Sequence, residues 1–143
     1  MLRHLTPALL LFWLLSTAAA AADPLDQLTA DLVELSDLRT ATAGQLAAIP
    51  FSRDLRTQTA LAAARAEIAA ASDCLTQAAG LVTACADTLN AINTATAAGQ
   101  IDLARQLTAL YDKLHTNAAE YLDQAQTHLT TAAAWLATIV KTP

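Results

Sequence analysis

Ten apolar positions in strict register constrain this chain more than any other feature of its sequence. Leu61, Ala64, Ile68, Ala71, Leu75, Ala78, Val82, Cys85, Leu89 and Ile92 follow one another in alternating steps of three and four. Such steps hold side chains on one face of an α-helix, whereas a half-buried strand alternates every second residue. The register passes through Gly80 without a slip. It therefore predicts a single helix of about 45 residues that ends near Gly99.

Large and small residues alternate along that stripe, and alanine takes most of the second places. Alanine lets a neighbouring backbone come to the close end of the usual interaxial range of about 8–10 Å. A partner is at hand in residues 101–140, which contain no Gly or Pro. They carry a second stripe: Leu107, Leu110, Leu114, Ala118, Tyr121, Ala125, Leu129, Ala132, Leu136 and Ile139. Upstream, Asp23 can cap a first helix, Pro24 suits its first position and Asp26 adds negative charge to its first turn. Leu25, Leu28, Leu32 and Leu35 continue it, and Ala47, Ala48 and Ile49 carry it to a stop at Pro50. Ser52 is the expected cap of the second helix, with Asp54 in its first turn.

The fold class that follows is all-α: an antiparallel bundle of three helices, about 25, 46 and 40 residues long, built on a long hairpin. The alternative is a four-helix up-and-down bundle, in which Gly80 ends one helix, Leu81 folds back on Leu75 and Thr83 caps the next. That layout would leave a last helix of about 40 residues beside one of about 16, overhanging by roughly half its length. In the three-helix layout the first helix covers only the lower hairpin. The upper part, about residues 77–120, is then bare, with Ala78, Val82, Leu89, Ile92, Leu107, Leu110 and Leu114 as candidate residues of an interaction seam.

The beginning of the chain reads differently. Arg3 and His4 precede the apolar run Ala8 to Leu15, and Ser16, Thr17 and five alanines to Ala22 follow. This is the pattern of a cleaved secretory signal over residues 1–22, leaving residues 23–143 as one domain in the periplasm or outside the cell. An uncleaved anchor is the competing reading, but the second half of the stretch is alanine and Pro7 interrupts the first. No other span of about 18 apolar residues is expected, so no stable membrane insertion should follow cleavage.

Thirteen Asp and Glu oppose eight Lys and Arg, or seven once Arg3 is removed. The resulting charge of about −6, read as unclustered, argues against nucleic acid and anionic membrane surfaces as partners. No G-x-S-x-G, Walker A, G-x-G-x-x-G or H-E-x-x-H motif occurs. Glu34, Glu67 and Glu120 fall on three helices as solvated face residues. His115 and His128, thirteen residues apart, stand about 20 Å apart along a helix and cannot share an ion. Asp112 and His115 are spaced for a surface ion pair. Tyr111, Tyr121 and Trp135 read as core aromatics, or else as the lining of a cleft. The hairpin from Asn93 through Gly99 to Leu107 is similar in outline to the last hairpin of periplasmic four-helix cytochromes. Residues 23–143 lack Met and any C-x-x-C-H, and neither histidine stands at the corresponding depth, so the likeness is generic helix patterning.

Cys74 and Cys85 are the only cysteines, and an exported chain favours disulfides. On one straight helix they stand about 16 Å apart, too far to pair. Three outcomes stay open: a staple across a break at Gly80, a pair of bonds between two chains crossing near Ala79 and Gly80, or free thiols. The pattern implies no enzyme, no cofactor and no metal. It implies an interaction module binding another protein or itself, as adaptor, inhibitor or assembly factor, and alternatively a carrier of lipid or haem between its helices.

Overall fold

The computed structural model describes residues 23–140, so the signal segment expected over residues 1–22 lies outside the described residues. Within them are three helices and no strand: α1 (Pro24–Ala48), α2 (Leu55–Ala97) and α3 (Ile101–Val140). The three-helix layout is therefore the observed one, and the four-helix alternative fails at Gly80. That residue lies inside unbroken α2, and its backbone has no positive φ.

The first two helices start where a side chain satisfies free N–H groups. The Asp23 carboxylate accepts from the Leu25 N–H at 3.0 Å, with Pro24 next to it at the first helical position. For α2 the cap is Asp54, not Ser52. Asp54 accepts from the Thr57 N–H at 2.8 Å and the Thr57 hydroxyl at 2.9 Å. Ser52 stands two residues too early and instead braces the connection, its Oγ accepting from the Asp54 N–H at 3.1 Å. Those bonds hold the Asp54 carboxyl below its ordinary pKa, the backbone N–H of Thr57 contributing most. α1 ends at Ala48 with Ile49 extended, the conformation imposed on a residue before proline. The turn from α2 to α3 closes on Gly99 at φ +72°, with Gln100 N–H donating to Ala95 O at 2.9 Å and Gly99 N–H to Thr96 O at 3.0 Å. These two bonds form the glycine-terminated helix end that forces an immediate reversal.

α2 and α3 lie side by side along nearly their whole lengths, joined by alanines with no exposed surface: Ala64, Ala71 and Ala78 on α2, Ala118, Ala125 and Ala132 on α3. Leucines fill the space between them and α1. Leu28 and Leu35 of α1 meet Leu75, Leu122 and Leu129 in the main core, and Leu61 and Leu136 form a second cluster with Leu46, Ile49 and Ile139 packed against it. Burying a leucine side chain contributes about 1.5–3 kcal/mol. The buried Thr42 and Thr88 hydroxyls donate to the carbonyls of Leu38 and Ala84, so neither stands unpaired. α2 also contains an 18-residue window apolar enough to cross a bilayer by length and composition, contrary to the sequence expectation. Its hydropathy is alanine, the same residue that permits the close packing on α3.

Where α1 stops, the seam turns. α1 runs parallel to α3, and its start reaches His115, whose Nε2 stands 3.3 Å from the Pro24 carbonyl. The bare hairpin is thus shorter than expected, about residues 86–111 rather than 77–120. Below that point α2 faces both neighbours; above it, α3 alone. The buried positions accordingly shift from the expected Leu89 to Thr88 and Ala95, and on α3 Tyr111 turns inward while Leu110 turns out. Lower on α3, Leu122 is buried and Tyr121 only flanks the core.

A Cβ built on Gly80 meets nothing within 4 Å, so Gly80→Ala should raise stability by about 0.5–1 kcal/mol in a denaturant titration. Gly99→Ala should lower it, because L side chains disfavour that φ. Destabilisation at both sites would restore the break at Gly80. Asp54→Ala should lower the melting temperature at neutral pH, and the deficit should close below about pH 4. The sign follows from the depressed pKa: the folded carboxylate stabilises above its unfolded pKa, and that contribution is lost as pH falls through the folded one.

Candidate functional site

The bundle has two distinct ends and a polar contact between α2 and α3. At the closed end, the hairpin tip, α2 turns small residues, Thr88 and Ala95, toward α3, which answers with Ala104, Leu107 and Tyr111, while other large apolar side chains stay open. Leu110 is 46% exposed, and Leu103 and Ile101 are open as well. Leu89, Ile92 and Leu107 are half-buried beside them. Four of the seven seam candidates, Leu89, Ile92, Leu107 and Leu110, therefore fall on the bare hairpin. The others do not. Ala78 is fully buried, Val82 packs against the three-helix core, and Leu114 is half-buried at the level where α1 begins. Ile101 and Leu103 belong to the exposed set but were absent from the expected stripe, which began at Leu107. Leu103 stands four residues before Leu107 and continues that register, whereas Ile101, two residues earlier, falls outside it and is revealed only by the position of the turn.

The polar contact joins two helices. His128 Nδ1 lies 2.6 Å from Glu67 Oε2, with both side chains partly exposed. Glu67 is therefore not the solvated face residue the sequence suggested. Facing positions on antiparallel helices bring it to His128, a pairing that spacing along one helix cannot reveal. No third ligating group joins them: among the described residues no cluster of three His, Cys, Asp or Glu side chains occurs. The expected Asp112–His115 ion pair is not formed. His115 turns to the Pro24 carbonyl, and its ring stands 6.0 Å from that of Tyr111. The Tyr111 phenol is pushed up by burial first, then by the negative charges of Asp23, Cys85 and Asp112.

The open end gathers the termini of all three helices. Leu55, Arg56, Ala60, Trp135 and Ile139 line a groove there of about 510 Å³. Trp135 is thus a wall of this groove and 39% exposed, not the core aromatic expected. A second groove, of about 470 Å³, runs between α1 and α2, lined by Leu32, Ser36, Arg39, Ser72 and Leu75.

Both cysteines are free thiols. The intramolecular staple needed a break at Gly80, and α2 has none. Cys85 is 0% exposed, so a bond from it to a second chain would first require α3 to peel away. Burial raises its thiol pKa, which lowers the reactive thiolate fraction further. Cys74 is half-buried, with its Sγ 3.9 Å from Gln124 Oε1.

No family model, curated protein or solved structure matches this chain.

The two thiols should separate kinetically. A maleimide reagent should label Cys74 in the native protein, and Cys85 only at the rate of hairpin opening or global unfolding, read by peptide mapping over time. Equal labelling rates would contradict the closed α2–α3 seam.

Proposed function

We propose that the chain is an exported helical-bundle interaction module, which binds another protein through the bare tip of its α2–α3 hairpin. One observation carries this reading: Ile101, Leu103 and Leu110 are exposed beside half-buried Leu89, Ile92 and Leu107, on a stretch that α1 does not reach. A two-helix hairpin covers only one face of each helix, and large apolar side chains left exposed on such a stretch mark an association site. The proposed location is the periplasm or the exterior, on the strength of the signal-like residues 1–22. Adaptor, inhibitor and assembly factor are all roles that such a tip can serve. The role proposed for this tip is binding.

The carrier reading has two grooves in its favour, one between the ends of α2 and α3 at Trp135 and one between α1 and α2, but both are open to solvent. Copurified lipid or haem, found by native mass spectrometry and an absorption spectrum, would move the balance to it.

The test replaces both exposed leucines, Leu103→Asp with Leu110→Asp. Helicity and melting temperature should change little, since neither side chain is buried. A photocrosslinking residue placed at 101 or 107 in the exporting cell should give a discrete adduct, and the double substitution should abolish it. A chain that stays monomeric and forms no adduct at either position would overturn the reading.

A further inference from the structure

The net negative charge of this chain conceals a strong asymmetry along the bundle axis. Twelve of the thirteen acidic residues lie within 23–37 and 67–123. The open end itself, where α2 starts, carries Arg53 and Arg56 against the single carboxylate of Asp54, with Arg65 farther along α2. Arg39 is engaged with the Ser72 hydroxyl at 3.2 Å, whereas Arg53, Arg56 and Arg65 are exposed. Asp54 is tied to Thr57 as the cap of α2.

The same end carries the most exposed large apolar side chains described. Phe51 is 85% exposed and Leu55 76%, on the segment that joins α1 to α2, and Trp135 stands across the groove from Arg56. In sequence the apolar and basic groups interleave, as Phe51-Ser52-Arg53-Asp54-Leu55-Arg56. We propose that this open end docks on an anionic lipid surface, with Phe51, Leu55 and Trp135 entering the interfacial layer and Arg53 and Arg56 meeting lipid phosphates. Tryptophan and phenylalanine partition to the boundary between headgroup and acyl chain, and arginine beside them pairs with phosphate there. Charge complementarity selects this occupant. A fluid layer also receives side chains that protrude, as Phe51 and Leu55 do, without needing a pocket shaped to them.

The asymmetry also fixes orientation. An anionic surface attracts the arginine end and repels the acidic remainder. The bundle then stands on its open end, and the 43 residues of α2 hold the hairpin tip about 64 Å away. This docking is independent of the tip reading, because the two surfaces lie at opposite ends of the bundle.

The test uses the full chain carrying Trp13→Phe, which leaves Trp135 as the sole indole. Its emission is read with phosphatidylcholine vesicles, with and without about one-third phosphatidylglycerol. The expected result is a blue shift on the anionic vesicles alone, with brominated acyl chains quenching it. Arg53→Glu with Arg56→Glu should weaken vesicle partition by roughly tenfold or more. Phe51→Ser with Leu55→Ser should remove the shift even where the N-terminal segment keeps the chain on the vesicle, and circular dichroism checks that helicity is intact. Unmoved emission in the parent, or an equal shift on neutral vesicles, overturns the proposal. So does a shift on concentrating the protein without lipid, which marks a second copy. A shift with monomeric short-chain phosphatidylglycerol, matching that with vesicles, would mark a lipid carrier and overturn it too.

Discussion

The close contact between α2 and α3 organises everything else in this molecule. Six fully buried alanines, three on each helix, remove side-chain bulk from the seam and let the two backbones approach. That choice sends the leucines to the flanks of the seam instead of its centre. Over the lower hairpin the flank is useful, because α1 lies in it and Leu28 and Leu35 close the core over Leu75, Leu122 and Leu129. Over the upper hairpin the same geometry has no third helix to complete it. The exposed leucines of the tip are thus a consequence of how the helices pack, and no separate sequence element is needed to produce them.

The length of α1 decides where one regime passes to the other. Twenty-five residues starting from the open end reach as far as His115 and stop, held there by the Asp23 cap and the contact of His115 with the Pro24 carbonyl. At that level the direction that counts as inside rotates on both remaining helices. Thr88 and Ala95 replace Leu89, and Tyr111 replaces Leu110. A helix that loses one of its two neighbours presents a different line of residues to the other, even though its own register never slips.

The cysteines show the same dependence. Their spacing alone excludes a bond within one straight helix but leaves open whether the helix is straight. Gly80 argues for a break on propensity and against one on register, and the register prevails because Leu75 and Ala78 before it, and Cys85 after it, all face the seam. Once α2 is continuous, Cys85 is sealed beneath α3, and its thiol is governed by hairpin opening instead of by the redox poise of its surroundings.

Much of the architecture was legible in the sequence because it depends on local chemistry. The helices, their lengths, the stop at Pro50, the reversal at Gly99 and the alanine seam all follow from residues within a few turns of one another. Asp23 could be read as a cap for the same reason, whereas Ser52 and Asp54 stood close enough together that only the backbone path chose between them. What tertiary structure alone decided is everything that depends on a second helix. It brought Glu67 to His128 across the α2–α3 seam, turned His115 away from Asp112, and placed Trp135 beside Arg56. The periodicity of a helix specifies which of its residues share a face. It carries no record of which neighbour that face will meet or where that neighbour ends, and those two facts set the surfaces with which this protein meets its surroundings.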